Sequence, residues 1–182
     1  MRRDVAADFS WQRRLLPEVK AILGQYLIGE APFEEDAQRN TDLIVLKLDA
    51  VRIGCRLRRY EYLAKWPDEF TIRTTRPSGA DTELSKLISG WGDYFFYGFA
   101  NQSGTNLASW MLGSLHVFRL WHSRQLVELG GKVPGKHQDN DDGSSTFRAF
   151  RIDALPPEFI VARHIVAVPA RDIDADLSLL VF

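Results

Sequence analysis

DYFFYGFA, residues 93–100, decides how this chain is read. Five aromatic side chains in eight residues, bounded by Gly92 before and the turn-forming Asn101–Asn106 after, predict a strand buried on both faces. Such a strand needs layers above and below it. Downstream, Leu107–Leu115 reads as a further strand, and His116–Leu129 as an amphipathic helix stopped by Gly130-Gly131. Upstream, Asp81 is placed to cap a helix whose core face is Leu84, Leu87, Ile88 and Trp91. Before it, EFTIRT (69–74) is a β-rich run ended by Pro77-Ser78-Gly79.

Two more runs precede these. LIVLKL (43–48) and Arg52–Arg59 are short, β-rich and joined by Asp49-Ala50-Val51, which predicts a hairpin. Trp11, Leu15, Val19, Ile22 and Tyr26 recur at helical spacing, with Arg13, Arg14 and Lys20 off the stripe. A helix from Ser10 to Tyr26 follows, with Ser10 as its cap and Pro17 inside it. Phe33–Arg39 is acidic enough for a short helical turn. After the last long helix, Gly131–Ser145 is polar and rich in turn formers, which predicts an exposed, mobile loop. Phe147–Ile152 reads as a strand, and Glu158–Val168 as a last strand or short helix. A strand–helix–strand crossover beside a hairpin predicts an α/β domain, a mixed β-sheet flanked by helices, over 1–182.

Composition is that of an ordinary globular domain: 45% hydrophobic and 26% charged residues. With a formal net charge of −1, bulk charge attracts no polyanion, so any basic surface is local. One cysteine, Cys55, forbids an internal disulfide and fits a reducing compartment. The charged N-terminus lacks the apolar stretch of a signal peptide, and no run approaches the roughly 20 residues of a membrane span. A cytoplasmic protein without a membrane partner is expected.

Side-chain alternation places Ile53, Cys55 and Leu57 on one face of the second strand, and Arg52, Arg56 and Arg58 on the other. Phe70 and Ile72 oppose Thr71 and Arg73 in the next strand. If those strands adjoin, Arg56, Arg58 and Arg73 converge near Asp42, and guanidiniums gathered under a covering helix require an anion. Glu83 and Lys86, three apart on the following helix, border the same region. The plainer reading of each is structural: arginines on a solvated face, Asp42 in an Asx turn, Glu83 favoured in a helix's first turn. His116, His122, His137 and His164 are scattered without metal-ligand spacing, and no Walker loop or GxGxxG is present. Cys55, on the face taken as buried, reads as a small core residue. Asp139, Asp141 and Asp142 lack the spacing of an EF-hand.

From Asp42 to Ala100 the order of elements resembles the restriction-endonuclease-like PD-(D/E)XK core. Asp42 matches that family's aspartate, and Arg56-Leu57-Arg58 stands where the family has acid-x-lysine. EFTIR matches the next strand, TELSKLISGW the crossover helix and DYFFYGFA the strand after it. RNTDL, CRLRR and SGxxTELxK are also similar to segments of uncharacterised phage and prophage proteins. The resemblance implies a Mg²⁺-dependent nuclease acting on DNA or RNA. Asp42 with Glu35 or Glu83 would hold the metal, Arg58 would replace the lysine, and Arg56, Arg73 and Lys86 would hold substrate. The departure is chemical: an arginine stands where the second acid belongs, and arginine binds no cation. Either the acid has migrated to Glu35, Asp36, Glu69 or Glu83, or the site grips phosphate without cutting it. Two alternatives follow, a non-catalytic nucleic-acid-binding module, and a structural protein whose arginines pair with Glu69, Glu83 and Asp93.

Overall fold

The computed structural model describes residues 5–25, 28–30, 43–45, 51–75, 82–140, 143 and 145–165, the side chains of 5–9, 28–30 and 43–45 excepted. Its elements run α1 (Val5–Gly24), β1 (Ile28–Glu30), β2 (Leu43–Val45), β3 (Ile53–Arg58), α2 (Tyr60–Lys65), β4 (Glu69–Thr75), α3 (Glu83–Ile88), β5 (Tyr94–Ala100), β6 (Leu107–Ser114), α4 (Leu115–Glu128), β7 (Lys136–Asp139), β8 (Thr146–Arg151) and β9 (Ile160–His164). The architecture is mixed α/β. A four-stranded sheet has the order β3-β5-β6-β9, with β3 parallel to β5 and the other pairs antiparallel. A three-stranded antiparallel sheet has the order β4-β8-β7.

The hairpin expected between 43–48 and 52–59 does not form. β2 pairs instead with β1, Ile28 opposite Val45, and β3 pairs with β5, Ile53 opposite Tyr94. A parallel pair needs a long crossover, and here it contains α2, β4 and α3. Thus β4, read from sequence as a neighbour of β3, belongs to the other sheet.

The buried strand of the sequence is β5, and its alternation serves two cores. Phe96 and Ala100 point to α1, whose Trp11, Leu15 and Val19 pack against them with Leu57 and Leu112. Leu57 shows that the apolar face of β3 lies on this side. Helix α1 starts at Val5, so Ser10 is not its cap. Its Glu18 carboxylate accepts the Leu107 N–H at 2.8 Å, anchoring the helix to β6.

Phe95, Tyr97 and Phe99 point the other way, into the larger core. There Phe70 of β4 stacks on Phe150 and Phe159, each with ring centroids 5.4 Å away. Glycine at position 113 makes room for this core, because a Cβ there would stand 2.4 Å from the Phe159 ring. Helix α3 contributes Leu84 and Leu87, and is capped by Thr82, whose hydroxyl accepts the Ser85 N–H at 3.3 Å. Asp81 lies outside the described residues. Ile88 and Trp91, expected in the core, are exposed, because α3 ends at Ile88 and Trp91 follows the Ser89-Gly90 turn. Helix α4 ends as expected: Gly130 and Gly131 take φ of +61° and +86°, and their N–H groups reach Val127 and Leu126 carbonyls. Among the described residues no helix is long and apolar enough to cross a membrane.

The segment 131–145, expected to be a loop, contains a strand. Lys136–Asp139 forms β7, paired with β8 from Lys136–Ala149 to Asp139–Thr146. Its side chains are mostly exposed, so no apolar alternation marks it as a strand.

His122 is buried in α4 beside Phe118, and its Nε2 finds no hydrogen-bond partner among the described residues. Burial lowers its pKa from the ordinary 6.5. Below about 6.5 the unfolded chain therefore binds a proton that the folded chain resists. Stability should be full above that value and fall as pH drops through the window beneath it. Melting temperatures at pH 8 and pH 5.5 check this, and His122→Phe should flatten the acid-side slope.

Candidate functional site

Arg56 and Arg58 project from the same face of β3, beside Tyr97 and Phe99 of β5 in the parallel register. This face is covered, as a charged group of this kind requires, but by β4, α2 and α3 rather than by one helix. Each arginine meets different chemistry there.

Arg56 reaches the first turn of α3. Its Nη1 lies 2.5 Å from the Glu83 Oε2, with side chains 16% and 29% exposed. The same oxygen accepts the Arg73 backbone N–H at 3.0 Å. One carboxylate thus ties the edge strand of the larger sheet to the end of β4. Arg73 does come to this cluster, but the group that reaches Glu83 is its main chain. Lys86, on the next turn of α3, is exposed. Asp42 and Glu35 lie outside the described residues, so the convergence on Asp42 has no counterpart to report.

The described part of this cluster does not fit Mg²⁺. A hard divalent cation takes several oxygen ligands. The Glu83 oxygen already accepts a guanidinium and an amide, and a guanidinium in van der Waals reach repels a second cation. Glu83 is here an ion-pair partner, as in the structural reading. Asp93 differs: its carboxylate accepts the Arg52 backbone N–H at 2.7 Å, not a guanidinium.

Arg58, two residues on, lies over the ring of Tyr62, 3.9 Å from its centroid. It lines a cavity of about 150 Å³. Tyr62, Trp66, Tyr97, Phe99 and Phe147 supply aromatic walls, drawn from α2 and its C-terminus, β5 and β8. Polar groups come from β4 (Glu69, Thr71) and from β7 and the turn after it (Gln138, Asp139, Asn140). Thr71 Oγ1 and the Tyr97 hydroxyl lie 3.2 Å apart, a hydrogen bond joining the two sheets. Trp66 is 40% exposed and Lys65 stands over it, its Nζ 5.7 Å from the ring centroid. The cavity is therefore an aromatic slot with a mixed polar edge and a cation beside one exposed wall.

Most of this slot lies outside the residues picked from sequence. Helix α2 is six residues long and too short for a periodic signal. A usable sign was present: Tyr62 and Trp66 lie four apart, immediately after RLRR, and such a pair shares a helix face. The β7 residues carried no sign.

Cys55 shares a face with Ile53 and Leu57, yet it is exposed and not a core residue. Strand β3 is the sheet's edge among the described residues, so Cys55 has a neighbouring strand on one side alone. Partial burial still raises its thiol pKa above the ordinary value.

No family model, curated protein or solved structure matches this chain.

Proposed function

We propose that the chain is a nucleic-acid-binding module that grips its ligand without hydrolysing it, on a variant of the restriction-endonuclease-like plan. The observation that carries this reading is local charge. In a chain of net charge −1, residues 52–65 hold five cations and one acid. They lie along one edge strand and the short helix after it, with Arg52, Arg59 and Lys65 exposed. Rows of this kind attract phosphates whatever the total charge. Glu83, with Glu69 one of the two described candidates for a migrated acid, is occupied by Arg56, which argues for binding over cutting.

The test is fluorescence anisotropy on labelled single- and double-stranded DNA and RNA, in EDTA and in Mn²⁺. Binding should persist in EDTA and weaken as salt rises. Arg59→Gln and Lys65→Gln should each weaken it on all sequences and flatten the salt slope by about one unit. Absence of binding at low salt removes the proposal. Mn²⁺-dependent cleavage that Asp42→Ala abolishes would replace it with the nuclease reading.

A further inference from the structure

We infer that the aromatic slot beside Arg58 takes one unstacked nucleobase carrying an exocyclic amino group, so that the ligand is a single strand and not a duplex. This rests on the nucleic-acid reading above and names the part of the ligand that the slot holds. Size comes first. Pockets for drug-sized ligands measure roughly 300–1,000 Å³, and a cavity of about 150 Å³ has room for a single planar ring. Shape comes second. Trp66, Tyr97, Phe99 and Phe147 line it with aromatic surface, the wall type on which unpaired bases stack, while the Tyr62 ring carries Arg58.

Edge chemistry then selects among rings. Glu69 brings a carboxylate, which only accepts hydrogen bonds, and Gln138 an amide, while the Asp139 carboxylate lies 3.3 Å from His137 Nε2 and the Asn140 amide donates to Ser145 Oγ at 2.6 Å. Carboxylates accept well from the amino group of cytosine, and they repel the carbonyl edge of thymine or uracil. With the Arg58 guanidinium held over Tyr62, the Glu69 carboxylate disfavours a phosphate beside the base, so the backbone stays at the open rim. Lys65, over the exposed face of Trp66, is placed to meet it there. Arg58 already lies over Tyr62, which disfavours a second cation and so a cationic ligand. A base inside a duplex presents no free face and would have to be extruded at the cost of stacking energy.

Three labelled eight-residue strands separate the contributions: oligo-dC, oligo-dT and an abasic strand with the same phosphates. The full chain should bind oligo-dC roughly tenfold more tightly than the abasic strand, from a stacking contribution of about 1–3 kcal/mol per base, with oligo-dT between them. Trp66→Ala, at an exposed site where the fold survives, should abolish that preference for oligo-dC over the abasic strand; unchanged melting temperature confirms folding. Equal affinity for all three strands, unaffected by Trp66→Ala, would overturn the base slot while leaving the nucleic-acid reading intact. No binding of any strand at low salt would remove both. Displacement of oligo-dC by equimolar cytidine monophosphate would identify a free nucleotide as the ligand and overturn the strand.

Discussion

Phe70→Ala is expected to lower the unfolding free energy by about 4 kcal/mol, the middle of the range for truncating a buried phenylalanine. Few positions in the chain touch as much. The Phe70 ring is 1% exposed and meets Phe95 and Tyr97 of β5, Phe118 of α4, Phe150 of β8 and Phe159. It is therefore a contact through which the smaller sheet, the larger sheet and α4 share one core. Removing it leaves a void among rings whose own packing holds them in place, so collapse around the gap is incomplete. Against a total stability of roughly 5–15 kcal/mol, such a loss lowers the melting temperature by about 10 °C in a chain of this size. Chemical denaturation checks the figure. Val161→Ala, at a residue 48% exposed, is the control and should cost under about 0.5 kcal/mol. A Phe70→Ala loss below about 1.5 kcal/mol would mean that the ring does not join these layers.

Glu83→Ala should cost about 2–3 kcal/mol. Two interactions go at once, the ion pair with Arg56 and the hydrogen bond from the Arg73 N–H. The larger part comes from what is left behind, a largely covered guanidinium deprived of its carboxylate. A fully buried pair would cost about 3–5 kcal/mol when broken, and the partial exposure of Glu83 trims this. Glu83→Gln keeps an acceptor for Arg73 and should cost about 1 kcal/mol. In the double variant Arg56→Met with Glu83→Ala, part of the loss should return, giving a coupling energy of at least about 1 kcal/mol in a double-mutant cycle. The result also bears on chemistry. Acids clustered to hold a metal repel one another, so removing one tends to stabilise the apoprotein. A Glu83→Ala protein as stable as the parent would contradict the pairing role and restore this residue as a candidate ligand.

What the sequence made readable was local. The buried aromatic strand at 94–100 announces itself because both of its faces are apolar, and the stop at Gly130-Gly131 because two consecutive residues need left-handed backbone. Trp11, Leu15 and Val19 marked the core face of α1 by spacing alone. What failed was pairing between distant segments. Strand β3 was assigned to its nearest predecessor, whereas its partner begins 41 residues later. Strand β7 has no pattern of its own, since β8 supplies its hydrogen bonds while its side chains face solvent. The alternation that put Arg56 and Arg58 on one face was correct, but their partners depend on β4 lying in a separate sheet. The aromatic slot was hidden for the same reason: it gathers residues from 58 to 147, and no short window contains its shape.

The order in which the two sheets draw on the chain has a consequence for how the molecule comes apart. The smaller sheet takes all of its strands, 69–151, from within the span 53–164 that supplies the larger one. No single break in the backbone can therefore hand one complete sheet to each fragment. Loosening either layer must disturb the other, and a chain cut between β4 and β5 inherits two unfinished layers with bare edges able to recruit foreign strands.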